Sequence, residues 1–237
     1  MFPADLMPVG EAAQRLDVNS ARVRAMLASG QLAGDKVGGR WLVRDESIRR
    51  RQREHHGRGR QFSPANAWGL LFLASGQPAP WLSGSERRRL LRLLDERRLE
   101  GLGGRFHQRA AVHSFTAHPG VLRHLSGEPG LVMSGISAAR AHRLGLSGGE
   151  SVDAYVPAAA LSGLVSKYVL ARPDGVPANV KLRAVPSSIW PFTERVAPLA
   201  AVALDLAQEP DARSARVGLR ALRQLDKRRG RRPGSRN

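Results

Sequence analysis

The amino-acid sequence predicts an α+β fold in two parts, a short segment of helices with one β-hairpin and then a larger, helix-rich mixed α/β domain. Three observations lead to this prediction. Apolar residues recur at helical spacing through much of the chain, whereas the stretches SVDAYV and NVKLRAV alternate as β-strands do. The third is the length of 237 residues, which exceeds that of most single domains.

The first predicted helix lies in the stretch PVGEAAQRL. Val9, Ala12, Ala13 and Leu16 are spaced to share one face of a helix. Pro8 suits the first turn, where its missing N–H would have no partner in any case. The stretch DVNS then ends this helix, because its side chains bond to nearby backbone and favour turns and caps.

A second predicted helix follows directly. Asn19 or Ser20 serves as its N-cap, and Gly30 ends it in a left-handed conformation. Its apolar stripe consists of Val23, Met26 and Leu27. Two helices joined by so short a turn predict a helix-turn-helix, in which the second helix presents Arg22 and Arg24 away from the stripe.

A β-hairpin is predicted next, with Gly38-Gly39 as its two-residue turn. Such a turn requires positive φ, which glycine adopts without steric cost. The arms LAGDKV and RWLV carry Lys36 before the turn and Arg40 after it. A third helix begins in DESIRRRQRE, with acidic residues in its first turn and arginines behind them.

These elements predict a winged helix-turn-helix that binds double-stranded DNA. In this arrangement the second helix lies in the major groove and the hairpin, or wing, lies on the phosphate backbone. We expect Arg22 and Arg24 to contact bases, and Lys36 and Arg40 to contact phosphates. The full predicted DNA-binding set is Asn19, Ser20, Arg22, Arg24, Lys36, Arg40, Arg44, Arg50 and Arg51.

The stretch VGEAAQRLDVNSARVRAMLASGQLAGDKVGGRWLV resembles the excisionase-like helix-turn-helix family, which is related to the winged domain of MerR regulators. The resemblance lies in the Glu-Ala-Ala of the first helix, the Gly-x-Leu exit and the Gly-Gly-Arg-Trp wing. It implies a DNA-binding domain over residues 1–54. The family often carries a basic residue at the position of Ala25, so the resemblance implies one groove contact fewer here.

Residues 55–61 are predicted to be a basic linker, and residues 62–226 the larger domain. We predict helices over 63–76, with Ser63 as cap, over 83–102, with Ser83 or Ser85 as cap, and in SGISAARAHRLGL, capped by Ser134 or Ser137. Two strands follow, separated by the helical stretch PAAALSGLVSKYVL. The stretches VAPLAAVALDLAQ and ARSARVGLRALRQL predict the last helices, and residues 227–237 a disordered basic tail.

The order of segments from Phe62 to Leu225 resembles the antitoxins of type IV toxin–antitoxin systems, the AbiEi class. The stretch ALDLAQEPDARSARVGL carries the clearest likeness. The resemblance implies a repressor of its own operon that counteracts a nucleotidyltransferase-type toxin, which makes that toxin a candidate partner. The N-terminal part differs from the usual winged domain of the class.

Charge supports a polyanionic partner. The chain has 38 basic residues against 20 acidic ones, a net charge of +18, and only four of the basic residues are lysines. The planar fork of arginine matches phosphate oxygens and guanine edges. With no cysteine, no apolar run near the ~20 residues of a membrane span and no recognisable signal peptide, we expect a cytoplasmic, nucleoid-associated protein.

The sequence contains no motif that predicts an enzyme. It has no phosphate-binding loop, no dinucleotide fingerprint, no nucleophile elbow and no Asp-x-Asp pair. His107, His113, His118 and His124 are close in sequence, but their spacing does not favour a metal site. We therefore expect no catalytic residue, metal or cofactor, and predict a transcriptional regulator that acts as an antitoxin-type autorepressor.

The alternatives to this predicted function are an excisionase-like recombination factor, which is usually shorter, and an enzyme acting on nucleic acid whose carboxylates converge only in space. A second copy of the chain is a further candidate partner.

Overall fold

The computed structural model describes residues 6–16, 18–30, 32–48, 51, 61–147 and 149–230. The chain forms two compact units, Met1–Arg58 (unit 1) and Gly59–Asn237 (unit 2). The division falls inside the predicted linker 55–61, of which only Gln61 belongs to the described residues.

Unit 1 combines helices with a small antiparallel sheet. Its elements are β1 (Leu6–Pro8), α1 (Val9–Leu16), α2 (Ser20–Ala28), β2 (Gly34–Val37) and β3 (Arg40–Arg44). The strand order is β1-β3-β2. Strand β1 was not predicted, because three residues are too few to show an alternating pattern.

The predicted N-cap of α2, the glycine that ends it and the hairpin turn are confirmed, whereas Pro8, expected in the first turn of α1, is the last residue of β1. The side chain of Asn19 accepts a hydrogen bond from the Arg22 amide and caps α2. Gly30 has a φ of 71°, and the turn residues Gly38 and Gly39 have φ values of 56° and 77°. Residues 45–48 are helical, as predicted for the start of the third helix.

The core of unit 1 lies between the two helices and β3. Side chains from β1, α1, α2, β3 and the helical turn at 45–48 enter it. Its fully or nearly fully buried members include Met7, Ala12, Val23, Met26, Leu27, Leu32, Val43 and Ile48. This core fixes the orientation of α2 relative to the hairpin.

Unit 2 is a mixed α/β domain. Its α-helices are α3 (Pro64–Ala74), α4 (Gly84–Glu96), α5 (Leu99–Leu102), α6 (Pro119–Gly127), α7 (Gly135–Ala138), α8 (Leu161–Lys167), α9 (Leu199–Ala207) and α10 (Ala212–Gly230). Its strands are β4 (Ala111–Phe115), β5 (Val132–Met133), β6 (Val152–Pro157) and β7 (Val180–Val185). Short 3-10 turns occur at Gly103–Arg105, His107–Arg109 and Ala158–Ala160.

Three of the predicted helices of unit 2 need correction. The helix predicted over 83–102 is two helices, because Arg97 and Arg98 are extended between α4 and α5. The helix predicted in SGISAARAHRLGL is a short α7 followed by turns. The last helix continues to Gly230, so the predicted disordered tail cannot begin at residue 227; residues 231–237 lie outside the described part of the chain.

The strands of unit 2 form one mixed sheet in the order β4-β7-β6-β5. Strands β6 and β7 are parallel, and the two outer strands pair antiparallel with them. The parallel register sets Asp153 opposite Lys181 and Tyr155 opposite Arg183. Residues in register share a face, so these four side chains all lie on one side of the sheet.

Both faces of this sheet are buried. Val152, Ala154 and Val156 of β6 and Leu182 of β7 pack on one face in a core that also contains residues of α6 and α8. On the other face, Tyr155 belongs to the larger core that α3, α9 and α10 share. The predicted alternation of both strands is thus confirmed. Because the sheet is covered on both faces, the polar side chains that alternate with the apolar ones also face protein rather than water.

No helix among the described residues is long and apolar enough to cross a membrane.

Candidate nucleic-acid interface

Helix α2 presents alanines on its outer side. Val23, Met26 and Leu27 are buried in the core of unit 1. Residues of an α-helix advance by about 100° each, so the side opposite this stripe carries three exposed residues, namely Ala21, Ala25 and Ala28. Because alanine side chains are small, the backbone of α2 can come close to a partner surface on this side.

Arg22 and Arg24 lie on the two flanks of this alanine face. Both side chains are exposed. Because they are two positions apart on a helix, they project to opposite sides of the face rather than along one line. They can therefore reach separate points of a partner that the alanine face contacts.

The hairpin separates its two cations in a similar way. Lys36 is in register with Trp41, and Arg40 with Val37. Since side chains alternate along a strand, Lys36 lies on one face of the hairpin and Arg40 on the other. Both side chains are exposed and close to the Gly38-Gly39 turn.

A cleft of about 420 Å³ connects α2 with the hairpin. Arg24 contributes one part of its wall, and Val37, Gly39, Arg40 and Trp41 another. Arg24 and Arg40 were predicted from two separate elements, and the structure brings them to one cleft. Two guanidinium groups at one concave surface favour an anionic partner.

Ion pairs divide the basic residues of unit 1 into two groups. Arg15 bonds to Glu11 and Asp45 at 2.8 Å and 2.7 Å. Arg44 bonds to Asp35 at 2.9 Å, so part of its charge is balanced within the protein. Within the described part of the chain, no ion pair involves Arg22, Arg24, Lys36 or Arg40.

The remaining predicted residues are more varied. Asn19 is exposed but uses its side-chain oxygen for the α2 cap, and Ser20 is half-buried. Arg51 is half-buried and already has an interaction within the protein. Arg50 lies outside the described residues.

Unit 2 contains a second concentration of charge that the sequence analysis missed. It is centred on Asp205, which is completely buried in α9. Its Oδ1 accepts a hydrogen bond from Arg109 at 2.6 Å and forms an ion pair with Nη1 of Arg183 at 3.0 Å. Its Oδ2 accepts from the hydroxyls of Ser134 at 2.5 Å and Tyr155 at 2.7 Å.

Arg183 extends the network to a second carboxylate. Its Nε and Nη2 donate to the two oxygens of Asp153 at 2.7 Å and 2.9 Å, a bidentate pair. At the margin, Lys181 bonds to Glu209, which also accepts from Arg183 at 3.3 Å. The buried charges therefore balance, with Arg109 and Arg183 against Asp153 and Asp205. We call these six charged residues, together with Tyr155 and Ser134, the buried charge network.

The network also sets the ionisation of its members. Burial opposes the charge of Asp205, but Arg183 and Arg109 outweigh it and hold the pKa of Asp205 below its ordinary value. Burial raises the pKa of the Tyr155 hydroxyl, and the adjacent charge of Asp205 raises it further. Tyr155 is thus kept neutral as a donor to an ionised Asp205.

The buried charge network has the character of a structural site. Arg109, Asp153, Arg183 and Asp205 are all at most 4% exposed, which leaves no room for a substrate at their polar atoms. Within the described part of the chain, no group of three or more histidine and acidic residues could hold a metal ion. The histidines noted in sequence are dispersed, since His113 lies in β4 and His118 bonds to the Gly120 amide at the start of α6.

Comparison with protein families, with curated proteins and with solved structures finds no match to this chain.

Proposed function

We propose that this chain is a sequence-specific DNA-binding transcriptional regulator, in which residues 1–54 are a winged helix-turn-helix. Helix α2 enters the major groove, Arg22 and Arg24 contact base edges, and the β2–β3 wing holds phosphates through Lys36 and Arg40. The observation that carries the proposal is the cleft shared by Arg24 and Arg40.

Two further observations support this assignment. The exposed cations Arg22, Arg24, Lys36 and Arg40 have no ion pair within the described part of the chain, so their charge is available to a polyanion. The alanine face of α2 lets the helix backbone come close to the floor of a groove. Arg22 and Arg24 on its flanks would then reach toward the two walls of that groove.

We propose that unit 2 acts as the effector domain of an antitoxin-type autorepressor, in a cytoplasmic, nucleoid-associated protein. A nucleotidyltransferase-type toxin is its proposed functional counterpart, and a second copy of the chain its proposed oligomeric partner. The support comes from the sequence resemblance of unit 2 and from the closed nature of its buried charge network. In this proposal unit 2 carries no catalytic residue.

The test is genome-wide mapping of DNA occupancy by the full chain, followed by binding assays on the sites found. We expect a defined site in the promoter of the chain's own operon. The double variant Arg24→Ala/Arg40→Ala should lose that site. The matched control is Arg213→Ala/Arg220→Ala, which removes the same charge from exposed positions of α10 in unit 2.

Two results would contradict the proposal. One is occupancy spread evenly over the genome, which would indicate a non-specific nucleic-acid binder. The other is an equal loss of binding in the control variant, which would show that total charge rather than the unit 1 surface governs binding. Sites confined to the ends of integrated elements would instead favour the excisionase-like alternative.

A further inference from the structure

Unit 2 contains an arginine-lined cleft that the proposed DNA-binding function does not use. It encloses about 900 Å³, within the usual range for small-molecule sites. One wall is a stripe of helix α4. Arg89, Arg92, Leu93 and Glu96 follow the i, i+3, i+4, i+7 spacing that places residues on one side of a helix.

The opposite wall comes from the start of α3 and from the 3-10 turns before β4. It includes Arg105, whose guanidinium lies 4.1 Å from the centre of the Phe62 ring. This stacking holds the Arg105 side chain at the cleft. Burial and the nearby charge of Arg97 lower the pKa of Arg105.

The arginines of α4 differ from those that are used internally. Within the described part of the chain, Arg89 and Arg92 have no ion pair, whereas Arg223 and Arg229 of α10 bond to Glu100 and Asp95. Among the described residues that line this cleft, Glu96 is the one carboxylate. Two guanidinium groups without an ion pair, those of Arg89 and Arg92, favour an anionic ligand, and the fork of each matches phosphate oxygens.

Asn66 supplies a second, independent observation at the same cleft. Its Oδ1 is buried and accepts no hydrogen bond, although the residue lines the cleft. A buried acceptor without a partner is costly, and a ligand with an N–H or O–H donor would satisfy it. The half-buried side chain of Leu93 adds apolar surface to the same cleft, on which a ring could lie.

We propose that this cleft is a nucleotide-binding site. The phosphates lie among Arg89, Arg92 and Arg105, and a donor group of the base or sugar bonds to Oδ1 of Asn66. The ligand chemistry is a phosphate ester that carries a hydrogen-bonding ring. A free nucleotide and the end of a nucleic-acid strand both have it, and the site would let unit 2 sense one of them.

The experiment is calorimetric titration of the full chain with ADP, inorganic pyrophosphate and a single-stranded DNA oligonucleotide. The oligonucleotide is titrated into the Arg24→Ala/Arg40→Ala background so that unit 1 does not contribute. Arg92→Gln should weaken ADP binding about tenfold or more, because it removes a charged donor to phosphate. Its control is Arg88→Gln, an exposed arginine of the same helix that does not line the cleft and should leave ADP affinity unchanged.

Asn66→Ala separates recognition of the ring from recognition of phosphate. It should weaken ADP binding several-fold and leave pyrophosphate binding unchanged. If only the oligonucleotide binds, with the same dependence on Arg92 and Asn66, the proposed site is upheld and its ligand is the end of a nucleic-acid strand. Absence of binding by all three probes, or equal losses in the Arg92→Gln and Arg88→Gln variants, would overturn the proposal. Equal affinity for ADP and pyrophosphate, unaffected by Asn66→Ala, would overturn its assignment to a nucleotide.

Discussion

The hydroxyl of Tyr155 donates a 2.7 Å hydrogen bond to Oδ2 of Asp205, which lies 50 residues further along the chain. Tyr155 belongs to the central strand β6, and Asp205 to the helix α9 that covers it. The other oxygen of Asp205 holds Arg109, which precedes β4, and Arg183 of β7. One carboxylate thus ties a helix to two central strands and to the segment that enters the sheet.

Asp205→Asn should strongly destabilise unit 2. The variant leaves Arg109 and Arg183 buried with one carboxylate instead of two, and breaking a buried ion pair in this way costs about 3–5 kcal/mol. Unfolding in urea, followed by circular dichroism, measures the change in the free energy of unfolding. Asp95→Asn is the control, because the Asp95 side chain is exposed and its pair with the half-buried Arg229 should contribute less than about 1 kcal/mol. Similar losses in the two variants would contradict the structural role of Asp205.

Tyr155→Phe should lower stability at neutral pH and change its dependence on alkaline pH. Loss of a hydrogen bond to a charged group costs about 1.5–3 kcal/mol. The pKa of Tyr155 is raised in the folded state, so its contribution is complete below the ordinary tyrosine value of about 10. As the pH rises further, the unfolded chain loses this proton first and the stabilisation declines.

The measurement is the free energy of unfolding of both proteins between pH 7 and about pH 11. The difference between wild type and Tyr155→Phe should narrow above about pH 10. A difference that is constant over this range would show that Tyr155 has an ordinary pKa in the folded protein.

Gly218→Ala should destabilise the packing of α10 against α9. A Cβ at this position would lie 2.3 Å from the Ala207 amide nitrogen and 2.5 Å from the Ala203 carbonyl oxygen, so the helices would have to separate. Such overpacking costs about 1–3 kcal/mol or more. Gly163→Ala in α8 is the matched control, because its Cβ would meet no atom within 4 Å. That control should be neutral or stabilising by up to about 1 kcal/mol, and a thermal melt distinguishes the two.

Arginines of unit 1 should differ in how they affect DNA binding. Arg24→Ala should relax sequence preference by about 1–3 kcal/mol at one base position. Arg40→Ala should weaken all sequences alike and reduce the slope of log affinity against log salt by about one unit. Arg44→Ala should have a smaller effect on that slope, because Asp35 already balances its charge. Binding measured over a series of salt concentrations, on the specific site and on random DNA, provides these values. If Arg40→Ala relaxed sequence preference instead, the proposed role of the wing would be wrong.

Local signals explain what could be predicted from the sequence. Asn19, Ser63 and the Gly38-Gly39 turn each act within a few residues, and the structure confirms all three. The break between α4 and α5 was missed because no glycine or proline marks it in the sequence. There, the Leu99 amide bonds to the Asp226 carboxylate 127 residues away, a tertiary contact without a local signal.

The buried charge network escaped prediction for a related reason. The apolar residues of SVDAYV and NVKLRAV indicated one face of each strand, and their alternation carries no signal for what lies on the other face. In the structure helix α9 covers that face, so Asp153 and Arg183 are buried as well. Asp205 was the available signal, because a lone acidic residue inside LAAVALDLA must find a partner in the protein.

Asp205 is also late in the order of synthesis. All the described core residues of unit 1 have been made by residue 48, whereas Arg109 and Arg183 must wait for a carboxylate that the ribosome adds after both of them. At that stage the nascent chain has a finished N-terminal unit and a sheet whose second face is still open. We therefore expect unit 1 to fold first, as it emerges from the ribosome, and α9 and α10 to pack onto the sheet afterwards.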